Sequence, residues 1–143
     1  MKRTVYIVED HQDLREIVAV YIASRPDVEV CGMTGSGEAA LAEIPVIQPE
    51  IAIIDVSMPG IDGIELVKRL RNLHLSLSII MLSGHLDATY VQAALRAGAN
   101  AYVGKGNIQE LGKALQDVIS GNGRRKSDRD RPDCIEPGGG DRS

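Results

Sequence analysis

Apolar residues gather along the chain in short runs bounded by Gly, Pro or acids, at residues 5–8, 28–33, 51–54, 78–82 and 100–103. Runs of this length, rich in Val and Ile, predict strands. Between them the apolar positions recur at helical spacing. Leu14, Ile17, Val18, Tyr21 and Ile22 repeat at i, i+3, i+4, i+7 and i+8, which places all five on one helix face. Residues 39–44, 64–70, 90–95 and 108–119 predict four further helices, with Ser36 as an N-cap and Gly98 and Gly121 as stops. Parallel strands need crossover connections, so five rounds of strand then helix predict a five-stranded parallel sheet, doubly wound, in an α/β fold. The runs I-A-I-I and S-I-I-M-L lack polar alternation, as strands covered on both faces require.

Composition narrows the picture. The chain has 143 residues, one domain's worth, with 43% hydrophobic and 25% charged positions, so it can build a core. Trp and Phe are absent and Tyr occurs four times, so the core is expected to be aliphatic, with no aromatic platform for single-stranded nucleic acid. Residues 1–122 carry a net charge of −5 and residues 123–143 a net +1. The first segment is read as the folded domain, 1–122. The second, 123–143, has only Cys134 and Ile135 to bury and is read as a disordered linker or tail. Acids interleave with its Arg124, Arg125 and Lys126, and the whole chain is at −4, so no nucleic acid is expected to bind this chain itself. Cys31 and Cys134 make neither a disulfide framework nor a metal-ligand spacing, and no long apolar window is present. A cytoplasmic location with no membrane association is expected.

In doubly wound sheets the working crevice lies beyond the carboxyl ends of the strands. Glu9 and Asp10 end the first strand, Asp55 the third and Ser83 the fourth, while Lys105 follows the fifth. Three clustered carboxylates repel one another and raise at least one pKa unless a cation sits among them. Oxygen ligands without His or Cys suit Mg²⁺. A lysine and a hydroxyl opposite that cluster suit an arriving anion, such as a phosphoryl group on Asp55, whose carboxylate would be the nucleophile. Taken singly, Asp10 and Asp55 read as turn or cap residues, Ser83 as a helix cap and Lys105 as a solvated charge. Their joint placement on one sheet edge favours the functional reading.

The stretch I-I-D-V-S-M-P-G-I-D-G-I-E-L places Pro59 four and Gly63 eight positions after Asp55. With Glu9–Asp10, Ser83–Gly84, Tyr102 and Lys105, it resembles the receiver domain of two-component response regulators over residues 3–121. The resemblance implies a flavodoxin-like fold and a phosphoacceptor switch rather than an enzyme. Asp55 would take the phosphoryl group from a sensor histidine kinase. Asp10, Asp55 and the backbone carbonyl of Ser57 would ligate Mg²⁺, with Glu9 acting mainly through water. Lys105 and Ser83 would meet the phosphoryl oxygens, Ser83 and Tyr102 would form the switch pair, and Ser57 and His85 would border the attacking water and tune phosphoryl lifetime. His11 is read as a residue at the start of helix one, and no organic cofactor is implied. The chain departs from the family in G-K-G, where relatives place Pro after the Lys, and in Glu9, where many have Asp.

The segments V-E-D-H-Q-D-L-R-E, A-L-R-A-G-A-N-A-Y-V-G-K and V-I-S-G are most similar to receivers of LuxR-type transcriptional regulators. The 22 residues after Gly121 show no helical periodicity and leave no room for a helix-turn-helix domain. The chain is therefore expected to be either the regulatory module of such a regulator without its output domain or a stand-alone receiver acting by protein contacts. Phosphorylation would change the surface of helix four, strand five and helix five and allow a homodimer. Val91, Leu95, Leu111, Leu115 and Val118 are the apolar positions considered for that contact, though most of them are expected to be core. An aspartyl-nucleophile phosphohydrolase would carry a second Asp two positions after the nucleophile, where Ser57 stands. A flavin carrier would need a small-residue phosphate loop where E-D-H-Q-D stands.

Overall fold

The computed structural model describes residues 2–73, 75–84 and 86–121. His85 and the segment 123–143 lie outside the described residues. In chain order the elements are β1 (Arg3–Val8), α1 (Gln12–Ala23), β2 (Val28–Thr34), α2 (Gly37–Ile47), β3 (Ile51–Asp55), α3 (Gly63–Asn72), β4 (Ser78–Ser83), α4 (Ala88–Ala97), β5 (Ala101–Gly104) and α5 (Ile108–Ser120). All strand pairs are parallel and the sheet order is β2-β1-β3-β4-β5. This is the doubly wound flavodoxin-like arrangement expected from the alternation, with its strand order reversing direction between β1 and β3.

The period-two side-chain alternation of each strand divides the core into two layers. Tyr6, Val8, Ala52, Ile54, Ile79 and Met81 pack on one face under α2, α3 and α4, with Ile44, Leu66 and Leu70. Val5, Ile7, Ile51, Ile53, Ile80 and Leu82 pack on the other under α1 and α5, with Val18, Ile22, Leu111 and Leu115. Caps fix where the helices begin. Ser36 Oγ accepts from Ala39 N, Asp62 from Glu65 N, Asp87 from Tyr90 N, and Asn107 from Gln109 N and Glu110 N. Gly98 and Gly121 end α4 and α5.

Two details differ from the sequence reading. Ile17 shares the apolar stripe of α1 yet is 57% exposed, as is Val20 at 71%. Val18 and Ile22 already cover the sheet, and Ile17 lies at the margin of the stripe; periodicity locates a stripe but not how much of it is buried. The second helix runs past Pro45 to Ile47, because a proline within the last turn disrupts little of the hydrogen-bond ladder, and Gln48 closes the helix in the left-handed region (φ 56°) with its N–H on Ile44 O at 2.8 Å. Of the positions considered for self-association, Leu111 and Leu115 are fully buried, Val91 and Val118 half-buried, and only Leu95 exposed. Among the described residues no helix is long and apolar enough to cross a membrane.

Candidate functional site

β1 and β3 are central neighbours, so their carboxyl ends deliver Glu9, Asp10 and Asp55 to the same point. Glu9 is anchored through its backbone: its N–H donates to Thr34 O at 3.0 Å, and Arg15 Nη1 donates to its carbonyl at 2.8 Å. Its side chain is fully buried, and Oε2 accepts from His11 N at 3.1 Å. Asp55 is also fully buried, with Oδ1 accepting from Ser57 N at 3.2 Å. The next peptide bends into α3, where Gly63 N donates to Val56 O at 2.8 Å. Any Cβ at Gly63 would collide with the Asp55 carbonyl, which is the physical need for glycine eight positions after the acid.

Lys105 reaches this cluster from beyond β5. Its N–H donates to Ser83 O at 2.8 Å, and its Nζ lies 3.0 Å from Asp55 Oδ1 and 3.4 Å from either oxygen of Glu9. The following Gly106 does not adopt positive φ, and an added Cβ there would meet nothing, so the loop holds Lys105 without the family's proline. Ser83, buried, ends β4 one position beyond the residue paired with Asp55. Tyr102 lies on β5 opposite Met81, half-buried against the α4 side of the core. The structure thus brings Glu9, Asp10, Asp55, Ser83 and Lys105 to one edge, with Ser57 exposed on the loop after Asp55 and Tyr102 one strand away; His85 lies outside the described residues.

The charges are unbalanced. Burial pushes Asp55 up to about 7; Lys105 pulls it down, while Asp10 and Glu9 push it further up. Asp10 is partly desolvated, which would raise it, but its contacts with Asp55 and Glu9 and the neighbouring His11 hold it below the usual carboxylate value. The two carboxylates are coupled, Asp55 pushed up and Asp10 held down. Although burial opposes it, Lys105 is held above its ordinary value by Asp55 and Glu9. Glu9 Oε1, Asp10 Oδ1 and Asp55 Oδ2 are buried and none accepts a hydrogen bond. Three carboxylates converging on one ammonium, with oxygens left without a hydrogen bond, fit a divalent cation with oxygen ligands.

Sequence reasoning missed two contacts that shape this edge. Arg15 crosses over Gly35, where a Cβ would sit 2.7 Å from Nη1, to reach Glu9 O. Glu38 Oε2 accepts from Ile61 N at 3.1 Å, tying the loop after Asp55 to the start of α2. The first spans six residues and the second twenty-three, and both use ordinary surface residue types with no local signature. A cleft of about 450 Å³ adjoins this loop, lined by Ser57, Met58, Pro59, Ile64 and Tyr90. A larger one, about 560 Å³, lies among Arg3, Gln48, Glu50 and Leu75 at the opposite end of the sheet, and the acidic cluster has no part in it.

Comparison with known proteins agrees with this geometry. Residues 5–116 match the family model of the response regulator receiver domain. The chain is 37% identical over 118 residues to a protein-glutamate methylesterase/protein-glutamine glutaminase of Trichodesmium erythraeum (strain IMS101), covering 80% of this chain and 34% of that one. It is 36% identical over 119 residues to the transcriptional regulatory protein UhpA of Escherichia coli (strain K12), covering 82% and 59%. Among solved structures, a LuxR-family two-component response regulator from Aurantimonas sp. SI85-9A1 aligns with a TM-score of 0.81 at 27% identity, over 87% of this chain and 89% of that chain. The chain spans between a third and three-fifths of the length of these two curated relatives. A family model matched over most of its length, on a fold that gathers acids and a lysine at one sheet edge, means that the chain belongs to the receiver domains of two-component response regulators.

Proposed function

We propose that the chain is a phosphorylation-operated switch in which Asp55 accepts a phosphoryl group from the phosphohistidine of a sensor histidine kinase. The observation that carries this is the Asp55 carboxylate, buried, oriented by Ser57 N–H and Lys105 Nζ through one oxygen, with Glu9 and Asp10 gathered beside it and a single ammonium, Lys105, among the three acids. In the transfer, a carboxylate oxygen of Asp55 forms a bond to phosphorus while the phosphorus–nitrogen bond of the donor breaks; the imidazole leaves with the bonding pair and takes a proton. Asp10, Asp55 and the Ser57 carbonyl would hold Mg²⁺, with Glu9 behind through water. When bound, the ion neutralises phosphoryl oxygens as charge shifts towards the leaving group. Lys105 is placed for the opposite side of the same group, and Ser83 gains a charge-assisted hydrogen bond to it. Ser57 and His85 then bear on how long the aspartyl phosphate lasts. The chain acts as a stoichiometric acceptor and not as a turnover enzyme.

Residues 1–122 form the receiver and 123–143 a linker. Likeness to UhpA and to LuxR-family regulators supports a cytoplasmic regulatory module that reaches DNA only through an output domain, with phosphorylation favouring a homodimer. The test is intact mass after incubation with acetyl phosphate and Mg²⁺. A phosphoryl adduct is expected on the native chain, lost with EDTA and missing from Asp55→Asn. A folded native chain that stays unmodified by both acetyl phosphate and kinase overturns the reading.

A further inference from the structure

The two halves of the acidic edge come from different strands, Glu9 and Asp10 from the end of β1, Asp55 and Ser57 from the end of β3, and the turn between β2 and α2 touches both. On the β1 side, Gly35 packs against the Asp10 backbone under Arg15. On the β3 side, Gly37 lies so close to the Ile61 carbonyl that a Cβ would overlap it, and Glu38 Oε2 accepts from Ile61 N at 3.1 Å. Gly60 adopts a φ of +75°, and a Cβ there would land on the Glu38 carboxylate. Ser36 Oγ, the cap of α2, donates to Glu38 Oε1 at 3.3 Å. The loop held in this way is the one that carries Ser57. At its base Ser57 N bonds Asp55 Oδ1 and Gly63 N bonds Val56 O, both local contacts, whereas Ile61 N reaches a different element 23 residues away.

We propose that Glu38 is a positioning residue for the phosphoryl site: docked on the Ile61 amide, its carboxylate sets where the Ser57 carbonyl stands relative to Asp55 and Asp10. The proposal rests on the reading of the acidic edge as that site and of the Ser57 carbonyl as a ligand of its ion. Glu38 touches neither and acts through the loop. A backbone N–H on a carboxylate is a charge-assisted bond, stronger than a neutral one, so it can hold a loop from an exposed position. The competing role is local, since an acid in the first turn of α2 also favours the helix N-terminus by its charge. The two roles separate chemically. Positioning needs an acceptor oxygen, which Gln keeps, and the helix role needs the charge, which Gln loses.

The experiment compares the full native chain with Glu38→Ala, Glu38→Gln and Arg71→Lys, the last weakening contacts to Leu75, Leu77 and Gly98 away from the acidic edge. In Glu38→Ala the Ile61 amide is expected to exchange about 10-fold faster in the metal-free chain. Mg²⁺ binding, followed by the NMR shift of the Ser57 amide, is expected to weaken about 10-fold. Adduct formation from acetyl phosphate, read by intact mass, should slow at limiting Mg²⁺ and return to the native rate at saturating Mg²⁺. Glu38→Gln should stay within about threefold of native in all three, and Arg71→Lys should keep native Mg²⁺ affinity. Unchanged Ile61 exchange or unchanged Mg²⁺ affinity in Glu38→Ala overturns the positioning role while the receiver reading stands. So does a loss in Glu38→Gln as large as in Glu38→Ala, a matching loss in Arg71→Lys, or a slowed adduct that saturating Mg²⁺ leaves slow. A native chain that binds no Mg²⁺ and takes no phosphoryl group overturns the receiver reading itself, and the positioning role with it.

Discussion

Two buried carboxylates and a half-buried third meet a single lysine at the sheet edge, leaving an excess of negative charge that the protein relieves by keeping a proton. Burial beside Asp10 and Glu9 raises Asp55 from its ordinary value of 3.8 to about 7 in the folded chain without metal. Folding then takes up a proton between those values, so the stabilising contribution is whole below the unfolded pKa and is lost as pH rises through about 7. Asp10 has the opposite sign: held low, it loses its contribution only as pH falls below the unfolded carboxylate value, outside this window. Urea denaturation of the metal-free chain across that range should show a midpoint that declines with pH more steeply than in Asp55→Asn. Saturating Mg²⁺ should flatten the decline. Equal slopes in the two proteins would show that the buried acid is not the source.

At the scale of elements, most of the fold was legible because strands covered on both faces must be continuously apolar, and 51–54 and 78–82 are. Helix starts were legible where a short polar side chain had orphan N–H groups to satisfy, as at Ser36. The acids and Lys105 were readable because position in the topology alone sends them to one edge. Contacts between elements were not. Arg15 to Glu9 joins two elements across a short turn, Glu38 to Ile61 and above all Arg71 to Gly98 join residues distant in sequence, and no local pattern marks them. From the last turn of α3, Arg71 donates to the carbonyls of Leu75, Leu77 and Gly98 and to Asn100 Oδ1, at 2.8–3.1 Å, while Asn100 Oδ1 accepts from Ile79 N. One guanidinium therefore ties the α3–β4 loop to the α4–β5 turn. A planar five-donor fork does what an ammonium cannot. Arg71→Met strands several partly buried acceptors and should cost about 2–4 kcal/mol of unfolding free energy, with Arg71→Lys recovering less than half. Guanidinium unfolding curves measure this. Because Arg71 lies away from the acidic edge, both variants should still bind Mg²⁺ as the native chain does; a matching loss of metal affinity would mean the clamp also sets the site.

For the molecule as a whole, the question is how a group added at Asp55 is felt at the β5 surface. Under the proposed function Lys105 and Ser83 would be the connection: the N–H of Lys105 rests on Ser83 O, Ser83 pairs with Gly104, and Tyr102 lies two residues before it on β5, half-buried. If the Ser83 hydroxyl turns towards a phosphoryl oxygen, it gains a charge-assisted bond and opens room into which the Tyr102 ring can move. Such couplings are typically worth about 1–3 kcal/mol, enough to convert a mixed population into one dominant state. The chain offers its own reporters, since Tyr6, Tyr21, Tyr90 and Tyr102 are its only aromatic side chains apart from histidine. With ring-labelled tyrosine, phosphorylation should shift the Tyr102 resonance to a buried environment and leave Tyr6, fully buried in the sheet and bonded to Glu43, where it was. Ser83→Ala should still form the adduct by mass while the Tyr102 resonance stays at its unphosphorylated position. A ring that moves equally in Ser83→Ala would mean that the signal leaves the site through Lys105 and the β5 backbone instead of through the hydroxyl.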